Sequence, residues 1–147
     1  MGGITLVMNG TDDDANELLV TVSTEYASFE LRSFANKRLF IDFVNGLQVF
    51  SKLVKASNFE FQFGGFGGNV AGGAVRFTFQ HLEFGEIIVG VVLESQREPS
   101  YLNFQTVKNP DSATLSFHTQ PVLLDNFIVE LNDLILGKTN TASIERI

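Results

Sequence analysis

Apolar residues recur along this chain with two periods, and the period decides the element. The first segments follow period two. Ile4–Met8 and Glu17–Thr24 are rich in Leu, Val and Thr and read as strands, joined by the polar stretch Asn9–Asn16 with Gly10 and the run Asp12, Asp13, Asp14. Ser28–Phe34 sets Phe29 and Leu31 against Glu30 and Arg32. Asn58–Phe63 sets Phe59, Phe61 and Phe63 against Glu60 and Gln62, and Ala74–Leu82 sets Val75, Phe77 and Phe79 against Arg76, Thr78 and Gln80. Such alternation marks half-buried strands. Glu86–Glu94 carries Ile87, Val89, Val91 and Leu93 on one side but Ile88 and Val92 on the other, which predicts a central strand covered on both faces. Tyr101–Val107 and Ala113–Thr119 read as two more strands, with Asn109-Pro110-Asp111 as the turn between them.

Two stretches change to the helical period. From Leu39, the residues Phe40, Phe43, Val44, Leu47, Phe50 and Val54 recur at three- and four-residue spacing, with Asp42, Asn45, Gln48, Lys52 and Lys55 opposite. Gly46 lies inside this helix and is expected to weaken it by about 1 kcal/mol relative to Ala. The second helix has Pro121 near its start, a stripe of Leu124, Phe127, Ile128, Leu131, Leu134 and Ile135, and Gly137 as its stop. Residues 138–147 lack periodicity and read as a polar tail after a single domain over 1–137. Strands at short spacing pair mostly antiparallel, so the fold class is α+β. The expected form is a largely antiparallel sheet of about 6–8 strands with two amphipathic helices packed on one face.

Composition narrows the function classes. The 147 residues are one domain's worth of chain, and 44% hydrophobic content with fifteen Phe supplies a core. A formal charge of −7 has the wrong sign for a phosphate backbone, so nucleic acid is not an expected partner. Zero Cys removes disulfides, thiolate metal sites and a cysteine nucleophile. The opening residues lack a basic n-region, and the longest apolar run, Ile87–Leu93, is far below the roughly 18–20 residues of a membrane span. A cytoplasmic chain with no membrane partner is the expectation.

The motifs that invite chemistry each fail on spacing. The tract Gly64-Gly65-Phe66-Gly67-Gly68-Asn69-Val70-Ala71-Gly72-Gly73 would need Gly at Val70 for a dinucleotide fingerprint, and it leads into a strand. Leu136-Gly137-Lys138-Thr139 mimics the tail of a P-loop, yet Asn132 stands where that motif begins. Asp12, Asp14 and Asn16 have the oxygen spacing of half a calcium loop, but Glu17 replaces its Gly and Ser23 its bidentate Glu. His81 and His118, with Glu83 or Glu60, could in principle make a facial triad, although no spacing demands it. Gly-x-Ser-x-Gly and His-Glu-x-x-His are absent, so the reading leans away from an enzyme, with no catalytic residue, metal or cofactor assigned.

Alternation then names a surface. If the Phe-bearing sides lie under the helices, the opposite sides present Glu60, Gln62, Arg76, Thr78, Gln80, Ile88, Val92, Tyr101, Asn103, Gln105 and His118. Of these, Glu60, Arg76, Gln80, Ile88, Val92, Tyr101, Asn103 and His118 are the candidate partner-binding residues, an apolar centre with a polar rim.

Phe77-Thr78-Phe79, the run Gly85-Glu86-Ile87-Ile88-Val89-Gly90-Val91-Val92-Leu93, and Leu115-Ser116-Phe117 leading into Leu124-Asp125-Asn126-Phe127-Ile128-Val129-Glu130-Leu131 resemble small acidic bacterial immunity proteins. The similarity is to the WapI-type family, which neutralises contact-dependent toxins, and it covers roughly the second half of the chain. It implies a protein that acts by binding, with contact residues that vary with the cognate toxin, so no site residue is carried over.

The function expected from these features is a non-catalytic binding protein that sequesters a basic toxin or another cationic protein. One alternative is a small ligand-binding or enzymatic domain with a pocket near the Gly-rich connector, using Arg76 as anion anchor and His81 or Glu83 as acid or base. The other is a self-associating structural protein, a homodimer through the uncovered face or an edge strand.

Overall fold

The computed structural model describes residues 2–10, 14–53, 57–67, 72–96 and 111–147. In chain order these form β1 (Gly3–Asn9), β2 (Asn16–Ser23), β3 (Ser28–Ala35), α1 (Lys37–Lys52), β4 (Asn58–Phe63) and β5 (Ala74–His81). A turn of 3₁₀ helix at Glu83–Gly85 leads to β6 (Ile87–Glu94), β7 (Ser112–Thr119), α2 (Pro121–Ile135) and β8 (Thr141–Glu145). The anticipated Tyr101–Val107 strand lies outside the described residues.

The α+β class stands, with antiparallel strands divided into two sheets of four in the orders β3-β2-β1-β8 and β4-β5-β6-β7. Each helix interrupts pairing: the chain leaves the first sheet after β3, passes through α1, and starts the second sheet at β4. In the first sheet Ile4, Leu6 and Met8 face Val22, Val20 and Leu18 across the ladder, and all six side chains are buried. In the second, Phe77 and Phe79 pair with Val91 and Val89 on the same inward side.

The helices lie against these inward faces. Phe43 of α1 meets Phe59, Phe61, Phe63 and Phe77 of the second sheet at centroid distances of 6.4, 5.1, 5.3 and 5.7 Å. Helix α2 packs on α1 and alongside β8. One hydrophobic cluster runs through both sheets and both helices, so the two layers share a core.

Local chemistry fixes the helix ends. The Asn36 side chain accepts the Leu39 N–H at 2.7 Å, an N-cap contribution of about 1 kcal/mol. At the end of α2, Gly137 has φ 75°, the Gly137 N–H donates to Leu134 O and the Lys138 N–H donates to Asp133 O. This Schellman arrangement satisfies orphan carbonyls and turns the chain back.

That reversal corrects the expected tail. Thr141–Glu145 pairs antiparallel with β1, burying Ala142 opposite Leu6 and Ile144 opposite Ile4. Hydrogen bonds also tie the sheets together at two places: the Gly73 N–H donates to Arg32 O at 2.7 Å, and the Ile147 N–H donates to His118 O at 2.9 Å. No helix among the described residues is long and apolar enough to cross a membrane.

Candidate functional site

The outer face of the second sheet follows from parity. With Phe77, Phe79, Val89 and Val91 inward, the even-numbered residues of β4–β7 point away from the helices. Strand register arranges them in rows. Asn58, Gln80, Ile88 and His118 form one row, Glu60, Thr78, Gly90 and Ser116 the next, and Gln62, Arg76, Val92 and Thr114 the third. The candidates Glu60, Arg76, Gln80, Ile88, Val92 and His118 therefore share this face, while Tyr101 and Asn103 lie outside the described residues.

Ile88 and Val92 are half-buried, which corrects the reading of β6 as covered on both sides. The strand is central in its sheet, between β5 and β7, yet its even positions remain accessible. Between the two aliphatics sits Gly90. A Cβ there would fall 2.6 Å from Thr78 Oγ1, and the Thr78 hydroxyl instead donates to Gly90 O at 3.3 Å. The middle of the face is thus a shallow floor flanked by Ile88 and Val92.

Around this floor the polar groups are held in place. Arg76 donates through Nε and Nη2 to Gln62 Oε1 at 3.3 and 3.1 Å, and its Nε lies 3.6 Å from Glu60 Oε1. Its guanidinium carbon stands 4.9 Å from the Phe66 ring centroid, a cation–π contact of about 0.5–1 kcal/mol at such an exposed site. The start of the Gly-rich connector rests on the same face, because the Gly67 N–H donates to Glu94 Oε1 at 3.1 Å. At the opposite corner His118 Nδ1 lies 3.0 Å from Glu86 Oε2. Exposed pairs of this kind add little stability, but they restrict the rotamers a partner would meet.

Among the described residues the catalytic and metal groupings read from the sequence do not assemble. His81 has the parity of Phe77 and Phe79 and points inward; its ring stacks on Phe50 at 4.1 Å and its Nε2 donates to Phe50 O at 2.9 Å. Arg76 and His118 occupy the outer face, so neither converges with His81 on a shared ligand. Asn16 belongs to β2, where it is buried and donates to Ala35 O at 3.4 Å. Asp12 lies outside the described residues. Among the described residues no group of three or more His, Asp and Glu side chains could hold a metal ion.

Among the described residues one carboxyl is clearly perturbed, away from this face. Burial pushes Glu130 above the usual carboxylate range, with Glu145 and Asp133 adding to the rise, while the Ser143 N–H it accepts works in the other direction.

Sequence reasoning missed Phe66, Glu86, Gly90 and Glu94 as members of the face. Gly90 had a signal, a glycine inside an otherwise aliphatic strand. Glu94 shares the even parity of Ile88 and Val92, which signals its place on the face but not its contact with Gly67, and Phe66 had no signal, since its role depends on how the connector folds back. Comparison of the chain with protein-family models, curated proteins and solved structures returned no match.

Proposed function

We propose that this chain is a non-catalytic binding protein that holds a basic protein partner on the outer face of its second sheet. The observation that carries the reading is the Ile88–Gly90–Val92 floor, accessible at the centre of a ladder whose rim already has Arg76, Gln62, Glu60, Glu86 and His118 paired with one another. A recognition patch has this composition, an apolar centre with an ordered polar rim. The formal charge of −7 favours cationic partners and speeds their encounter. Neutralisation of a basic toxin domain, as the family resemblance implies, is the specific form of this reading.

The test is titration calorimetry against basic proteins encoded beside this chain, at low and physiological salt. Thr78→Lys with Gln80→Lys places repulsive charge on exposed positions of the face without touching the core. Wild-type binding is expected to weaken with salt and to fall at least about tenfold in the double variant, the equivalent of 1.4 kcal/mol. Undiminished affinity in the double variant would remove the face from the reading, and no binding by any such protein would remove the reading itself.

A further inference from the structure

Helix α2 has a second face that the core does not use. Leu124, Phe127, Ile128, Leu131 and Leu134 are buried, yet Val122, Val129 and Leu136 stand 59%, 59% and 67% exposed. These three are spaced i, i+7 and i+14, so they drift only about 20° per heptad and form a narrow seam about 10 Å apart along the axis. The charged residues of the helix itself are of one sign. Residues 121–135 contain Asp125, Glu130 and Asp133 and no Lys, Arg or His, and the first cation is Lys138 beyond the helix.

The placement of Asp133 works against the helix. The C-terminal end of a helix dipole is negative and favours cations, yet the last turn of α2 has no basic residue and contains Asp133. The first turn, where acids would help, has none. A second copy of the chain would bring Asp125 and Asp133 against their own kind, and an anionic surface would be repelled in the same way.

We infer that the Val122–Val129–Leu136 seam docks an amphipathic basic helix of a protein partner, one with apolar residues at heptad spacing and Lys or Arg beside them. Apolar knobs repeated every seven residues are the seam of a helix pair, and flanking charges of opposite sign select the partner. This inference is independent of the sheet-face reading.

The experiment is amide-shift mapping and fluorescence anisotropy on the full chain, with a helical peptide of about 18 residues carrying Leu at heptad positions and Lys elsewhere. Controls are a peptide of the same composition with scrambled periodicity and one with Glu in place of Lys. Shifts are expected to be confined to residues 121–136, with affinity falling about tenfold for Val129→Ser, which loses one buried aliphatic contact. Asp125→Asn with Asp133→Asn is expected to weaken binding and flatten its salt dependence. Thr78→Lys with Gln80→Lys should leave it unchanged, which separates this result from the fate of the sheet face. Equal binding of the scrambled peptide, shifts centred elsewhere, or no loss in Val129→Ser would each overturn the inference. So would a concentration-dependent dimer abolished by Val129→Ser, which would identify a second copy as the occupant.

Discussion

Replacing Gly46 by Ala should destabilise this protein, although helix propensity alone predicts the opposite. Gly46 lies in the middle of α1, where Ala is favoured by about 0.8–1.0 kcal/mol. The residue is nevertheless where the helix meets β4. A Cβ built on Gly46 would stand 2.3 Å from both Cε1 and Cζ of Phe59 and 3.3 Å from its Cδ1. Ordinary contact begins near 3.4 Å, so the ring must retreat by about 1.1 Å. Its neighbours resist: Phe43, Phe61 and Phe79 surround it at centroid distances of 6.4, 6.1 and 6.3 Å.

Overpacking of this kind costs about 1–3 kcal/mol. Set against the propensity gain, the net loss is about 1 kcal/mol, or roughly 2–4 °C in Tm for a chain of this size. Urea unfolding of wild type, Gly46→Ala, Phe59→Leu and the double variant tests it. In the Phe59→Leu background the clash is gone and Gly46→Ala should be neutral or stabilising, so the cycle should give a coupling of at least about 1 kcal/mol. If Gly46→Ala stabilises the wild type and adds independently to Phe59→Leu, the glycine is not a packing requirement and no clash with Phe59 limits the site.

Three further outcomes are expected. Ile144→Ala should cost about 2–4 kcal/mol by chemical denaturation, because the side chain is buried against β1; a value near zero would mean that residues 141–145 behave as a tail. Ser33→Ala should stabilise by about 1 kcal/mol, since the Ser33 hydroxyl is buried with no hydrogen-bond partner among the described residues; a loss of stability would reveal a partner for it. The raised pKa of Glu130 means the folded state binds its proton more tightly than the unfolded one. Its penalty therefore sets in as pH rises through the ordinary carboxylate range and is full once the pH exceeds the raised folded-state pKa. Glu130→Gln should then raise Tm at pH 7 and lose that advantage below the ordinary Glu range, whereas an advantage independent of pH would contradict the assignment.

Much of the fold was legible because burial follows local periods. The stripe Phe40, Phe43, Val44, Leu47 and Phe50 and the alternation in β5 are each set by which side faces the core, and both appear in the structure as read. Strand β8 was not legible because its register comes from β1, far away in sequence. Within Thr141–Glu145 only Ala142 and Ile144 face inward, too few to stand out among Thr and Ser. The division into two sheets was equally hidden, since alternation says which face is buried but not which strand lies next door.

The site divides along the same line. Parity assigned Glu60, Arg76, Gln80, Ile88, Val92 and His118 to one face correctly as to position, and the same parity, applied one residue further along β5, puts His81 inside with Phe79. What the connector adds, Phe66 over Arg76 and the Gly67 amide on Glu94, requires its path in space.

The two exposed surfaces also differ in what the fold asks of them. The outer sheet face costs the fold little: its ladder is complete beneath it, and Glu60, Glu86 and Glu94 each have a polar partner there, in Arg76, His118 and the Gly67 amide. The outer face of α2 is different, because Asp133 opposes the helix dipole and Val122, Val129 and Leu136 remain in water. That misplaced charge costs about 0.3–1 kcal/mol. The opposite side of the helix offsets this easily, since five buried apolar side chains contribute about 1.5–3 kcal/mol each. A helix so firmly anchored can hold unfavourable residues on its free side, and stability gives no reason for them to be there. Departures from local rules in an otherwise consistent element mark where selection acts on something other than the fold.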